Sequence, residues 1–249
     1  MLRAYGDGNL FGEPYGEGPV RVVWLHGWGR RGQDFATVAS ALARDGVASV
    51  AFDLPGFGSS PAPSVAGGAR SYADFLTPAL RALGDEPLVL VGHSFGGRVA
   101  TVLASREPDF VRALVLTGVP LLRGPFTAKP PLRFRFVRWL HRRGAVGDAR
   151  METARQRYGS TDYRGARGVM RDVLVATVNE SYEEELASLS APVTMLWGAL
   201  DNDAPVATAI RAGELLREHP SLHVLENVGH FVPIDAPEEL AQSVREALA

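Results

Sequence analysis

The chain has 249 residues, 46% of them hydrophobic and 22% charged, with a formal net charge of -2. This is ordinary globular composition, which excludes a disordered chain, and its charge makes no whole-chain case for nucleic acid or a membrane surface as partner. Cysteine is absent, so disulfides, thiolate metal sites and a cysteine nucleophile are excluded and nothing calls for an oxidising compartment. The first residues carry no apolar run of signal-peptide length, and no stretch of about 18 apolar residues follows, so a cytoplasmic protein without a membrane span is expected.

In chain order, short apolar runs alternate with longer helix-like segments. The runs are RVVWLHG (21–27), VASVAFDLPG (47–56), PLVLVGHS (87–94), VRALVLTG (111–118), APVTMLWG (191–198) and, more weakly, SLHVLENVG (221–229). Runs that are apolar throughout suit strands buried on both faces of a parallel sheet. Helices are predicted over about 34–45, 71–83, 95–106, 206–218 and 236–248, the last with Asp235 as its cap and Pro237 in its first turn. The fold class is therefore α/β, a doubly wound and mostly parallel sheet.

Residues 121–189 break the rhythm. No strand pattern occurs there, and 13 Arg and Lys against 8 Asp and Glu give the segment net +5, leaving -7 for the rest. Pro120, Pro125, Pro130 and Pro131 punctuate its start and Pro192 follows its end. It is expected to be a helical cap inserted between two parts of one core, 1–120 and 190–249. Within it, RFRFVRWLHRR (133–143) reads in two ways. One is an electropositive rim drawing anionic substrates; the other is an amphipathic lid helix with Phe136, Val137 and Leu140 inward and the arginines solvated.

The chemistry centres on LVLVGHSFGGRVA (88–100). A serine hydroxyl is a weak nucleophile unless a base activates it and donors await the oxyanion. A sharp strand-to-helix turn lifts Ser94 above the sheet, and Gly92 and Gly96 keep the crowded turn clear. Of the six histidines, His230, in VGHFVP after the last strand, is the best-placed base. His93 and His26 read as packing and loop-shaping residues. The acid that orients His230 is sought in LWGALDNDAP (196–205), which offers Asp201, favoured, and Asp203. The oxyanion donors are expected to be the amides of Phe95 and of Trp28 in HGWGRRG. Arg98, one helical turn behind Ser94, is a candidate for binding a substrate carboxylate, or else a helix arginine paired with a nearby acid.

VVWLHGWG, FDLPGFGSS, VGHSFGGR, LWGALDNDAP and VGHFVPIDAPEEL, in this order and spacing, resemble the α/β-hydrolase superfamily of esterases and lipases over nearly the whole chain. The resemblance implies a serine hydrolase acting on small carboxylic esters through an acyl-enzyme on Ser94, with Asp201 and His230 completing the triad and neither metal nor organic cofactor. The HGWG loop is similar to that of esterases of pimeloyl methyl esters. GHSFGGR is similar to that of a menaquinone-pathway synthase. A C–C hydrolase or lyase using the same triad is the alternative, and a non-catalytic ligand receptor of the fold is a further one.

Overall fold

The structure, a computed structural model, describes residues 1–123, 132–158 and 161–249; Pro125, Pro130 and Pro131 lie outside them. The described strands are β1 (Arg3–Tyr5), β2 (Leu10–Tyr15), β3 (Val20–Leu25), β4 (Ala48–Asp53), β5 (Leu88–His93), β6 (Val111–Thr117), β7 (Val193–Gly198) and β8 (Ser221–Leu225). They form one sheet in the order β1-β2-β4-β3-β5-β6-β7-β8, parallel from β4 to β8 and antiparallel at β1 and β2. All six expected apolar runs are strands.

β1 and β2 have no counterpart among those runs. Their segment is rich in glycine, and β2 contains Pro14, a residue that sheets accept near an edge. Gly12 explains part of this pairing: a Cβ there would stand 2.9 Å from the Phe52 and Val50 side chains of β4.

The helices are α1 (Ala36–Arg44), α2 (Ala69–Arg81), α3 (Phe95–Arg106), α4 (Leu132–Arg142), α5 (Asp148–Tyr158), α6 (Thr161–Gly165), α7 (Val169–Asn179), α8 (Glu183–Ser188), α9 (Val206–Gly213), α10 (Val232–Asp235) and α11 (Pro237–Leu248). The central parallel strands bury both faces. Val23 and Leu25 join the core beneath α2 and α3, while Val22 and Trp24 join the core beneath α1 and α11.

Three expectations change. The helix expected to 218 stops at Gly213. Asp235 does not cap α11: it ends α10, and Ala236 takes the cap position with no side-chain bond, because the chain after Phe231 already coils into a helical turn. Phe136 does not face inward. It is 59% exposed, and no residue of α4 is buried, although Val137 and Leu140 are half-buried.

The order of the parallel strands sets the site. The chain runs from β3 outward to β4 on one side and then returns to β5 on the other. This change of direction opens a crevice between the carboxyl ends of β3 and β5, where Leu25 stands level with Gly92.

Candidate active site

Ser94 follows the last residue of β5 and caps α3. Its φ is 49° and its ψ -112°, a conformation that costs a non-glycine residue about 1–3 kcal/mol and persists only where the surroundings impose it. The surroundings are tight. A Cβ on Gly92 would collide with the backbone of Gly97, and one on Gly96 with the carbonyls of Leu25 and His26. The Ser94 amide donates to Thr117 O at 2.9 Å and the Gly96 amide to His26 O at 3.0 Å, tying the turn to β6 and to the end of β3. Among the described residues Ser94 Oγ has no hydrogen-bond partner.

His230 lies between β8 and α10. Its Nδ1 is 2.8 Å from Asp201 Oδ2, which places the ring proton on the nitrogen facing the carboxylate. Asp201 is buried, and its second oxygen accepts the amides of Asp203 at 2.9 Å and Ala204 at 2.8 Å. Asp203 itself is exposed. Asp201, Asp203 and His230 each offer one ligand atom within 4.8 Å of the others, the one such group among the described residues that a cation would fit. Asp201 already spends both oxygens on His230 and two amides.

Gly118, at the end of β6, carries no motif of its own in the sequence. With φ 58°, it packs where a Cβ would stand 2.9 Å from His230 Nδ1 and 3.1 Å from Asp201 Oδ2. Gly118→Ala is therefore expected to displace the imidazole–carboxylate pair and lower kcat by roughly a hundredfold, the cost of an ångström-scale misplacement. Steady-state kinetics with a short ester checks this, and an unchanged kcat refutes it.

The loop after β3 carries Trp28. The Trp28 ring meets Phe57 at 5.0 Å and Phe95 at 5.5 Å, and Phe95 meets Tyr72 at 4.9 Å, so the two residues expected as amide donors also build an aromatic wall. The Phe95 amide heads α3, where no intrahelical acceptor exists. His26 shapes the loop: its Nε2 accepts the Leu54 amide at 2.9 Å and its Nδ1 donates to Gly27 O at 2.7 Å. Burial holds its pKa down at about 4, in the neutral form that this bonding needs.

His93 is likewise buried and neutral, its pKa lowered to about 3 by desolvation first and by the neighbouring His230 second. Its Nδ1 lies 3.0 Å from both oxygens of Thr117, and its ring centroid 4.8 Å from that of His230. Its role as a packing residue accords with this placement.

Two carboxylates near the site carry no motif in the sequence. Asp53, at the end of β4, accepts the Gly32 amide at 2.9 Å and the Ser59 amide at 2.8 Å, joining the Trp28 loop to the loop after β4. Its only local signal is its position at the end of an apolar run. Asp162 of α6 has its pKa raised by desolvation first and by the charge of Asp203 second, while His230 opposes the rise. No local pattern links Asp162 to His230, which lies far along the chain beyond two further strands.

Among the described residues Arg98 does not pair with an acid, the second of its two expected roles. Its Nε donates to Pro120 O and its Nη1 to Thr177 O, each at 3.0 Å, and among the described residues no carboxylate lies within ion-pair distance. It pins the chain after β6 to α7. Arg98→Met is expected to cost about 1.5–3 kcal/mol, as for lost bonds from a charged group, and to reduce turnover of neutral and acid-bearing esters alike. Urea unfolding and a matched pair of esters test this. A loss confined to the acid-bearing ester would assign Arg98 to substrate binding.

A parallel sheet with a strained serine at the β5–α3 junction and a histidine–aspartate pair after β7 and β8 is the architecture of an alpha/beta hydrolase. The profile of the alpha/beta hydrolase family matches residues 22–243, and the chain belongs to that family. It is 33% identical over 272 residues to lipase LipV of Mycobacterium tuberculosis, a match covering 96% of this chain and 98% of that protein. Over 110 residues it is 44% identical to a pimeloyl-(acyl-carrier protein) methyl ester esterase of Chromobacterium violaceum, a match spanning 44% of this chain and 41% of that one. It is also 27% identical over 266 residues to a 2-hydroxy-6-oxo-2,4-heptadienoate hydrolase of Pseudomonas putida, covering 100% of this chain and 92% of that protein. No described helix is long and apolar enough to cross a membrane.

Proposed function

We propose that the protein is a serine carboxylesterase cleaving small carboxylic esters. The observation that carries this reading is the 2.8 Å contact between His230 Nδ1 and buried Asp201, with the sharply turned Ser94 at the carboxyl end of β5, two strands from β7 in the same sheet. Asp201 holds the Nδ1 proton, so Nε2 of His230 is free to take the proton of Ser94 Oγ as that oxygen attacks the ester carbonyl. The amides of Phe95 and Trp28 stabilise the oxyanion. His230 then returns the proton to the leaving alcohol, and water cleaves the acyl-enzyme with His230 as base again.

Residues 121–189 act as a cap, with 1–120 and 190–249 as one core. In support, β6 and β7 pair directly in register, Leu114 with Val193, so the helices between them are an excursion from the sheet. The LipV and pimeloyl ester esterase relatives support ester chemistry. The full-length match to the heptadienoate hydrolase favours a second reading, C–C cleavage by the same residues.

The test combines a fluorophosphonate probe with parallel assays of short p-nitrophenyl esters and a 2-hydroxy-6-oxo-dienoate. Labelling of Ser94 with preferential ester turnover is expected. Preference for the dienoate would move the protein to the second reading, and absence of labelling and turnover would leave a ligand-binding member of the fold.

A further inference from the structure

The net charge of -2 conceals an uneven surface. On α4, Leu132, Phe136 and Trp139 are 76%, 59% and 45% exposed. Their spacing sets them on one stripe of the helix. The Phe136 and Trp139 rings stack on each other, 5.9 Å apart with an interplanar angle of 18°. The opposite side faces the protein: Phe134 meets the Tyr158 ring of α5 at 6.2 Å, and His141 bonds Asp148 at 2.8 Å.

Arginines flank the apolar stripe. At 100° per residue, Arg135, Arg138 and Arg142 fall along one edge and Arg133 along the other. Arg143 lies over the Trp139 ring at 4.3 Å. α4 has no acidic residue, and among the described residues none of these five arginines pairs with a carboxylate. The helix thus presents an apolar ridge and unpaired cations together on its outer side.

We propose that α4 is an interfacial helix that docks the protein on an anionic lipid surface. Phe136, Trp139 and Leu132 enter the acyl boundary while the arginines, reaching past them, pair with lipid phosphates. A second copy of the chain is the poorer occupant, since a two-fold contact through this stripe would set arginines against arginines. A small acidic protein would satisfy the arginines but leaves a continuous ridge of large apolar side chains without a function. The inference is independent of the reaction performed at Ser94.

The test measures co-sedimentation of the whole protein with phosphatidylcholine vesicles, with and without about 30% phosphatidylglycerol, at low salt. Binding to the anionic vesicles alone is expected, with a blue shift of tryptophan emission that W139F removes. The triple variant R135Q/R138Q/R142Q is expected to lower partitioning roughly a hundredfold, three arginines each contributing a several-fold factor. F136S/W139S is expected to lose binding as well. Both variants should keep wild-type thermal unfolding and hydrolysis of a water-soluble ester, because these side chains lie outside the site and the core. Equal binding to neutral and anionic vesicles, binding that survives both variants, or arginine-dependent binding to a small acidic protein without vesicle binding overturns the proposal.

Discussion

Ser94→Ala is expected to lower esterase kcat by roughly 10⁴ or more while leaving the fold intact. The size follows from the division of labour at the junction of β5 and α3. On the proposed mechanism, without Oγ, His230 and Asp201 have no nucleophile to activate, and what remains is the assistance of the two amides and of binding. The fold is unaffected because the positive φ of 49° is imposed by the backbone, through Ser94 N on Thr117 O and Gly96 N on His26 O, and among the described residues no structural hydrogen bond uses Oγ. Ser94→Gly separates the two effects further. It is expected to be equally inactive but more stable by about 1–2 kcal/mol, since glycine accepts that conformation without strain. Kinetics, fluorophosphonate labelling and urea unfolding of the two variants decide this. Retained activity, or labelling of another serine, would sink the assignment.

Asp201→Asn is expected to cost roughly 10⁴ in kcat with little change in KM. An amide in place of Oδ2 presents a donor to His230 Nδ1 and selects the tautomer whose Nε2 carries the proton, so the ring can no longer accept one from Ser94. The remaining oxygen of the asparagine side chain still receives the amides of Asp203 and Ala204, so the loop keeps its shape. Asp203→Asn should cost far less, because Asp203 is exposed and, among the described residues, its carboxylate makes no hydrogen bond to His230. Comparable losses from the two variants, or a larger one from Asp203→Asn, would transfer the role.

Much of the candidate site is legible in the sequence because it is built from local backbone chemistry. A buried strand running into Gly-His-Ser-Phe-Gly leaves few conformations for Ser94. A histidine after the last strand and an aspartate after the one before need only the order of a parallel sheet to converge. The sequence favours Asp201 over Asp203 only by its place in the loop, because a step of two residues along a loop carries no periodic signal. The loop's hydrogen bonds now favour Asp201. The acceptors of Arg98 are hidden for a related reason. Helical spacing correctly set it one turn from Ser94, but its acceptors are the carbonyls of Pro120 and Thr177, and backbone carbonyls are invisible in a sequence.

What the sequence by itself determined is the alternation of buried strands and amphipathic helices, and with it the parallel sheet, the serine at its crevice and the place where that rhythm is interrupted. These follow from burial and backbone sterics acting over a few residues at a time. The tertiary structure alone decided which distant groups meet. It paired β2 with β4, pressed Gly118 against His230, joined two loops through Asp53, and turned Phe136 and Trp139 of α4 outward among arginines that pair with no carboxylate of the described residues. Those outcomes depend on sheet register and on which helix face finds a neighbour, and both are set by packing between segments far apart in the chain.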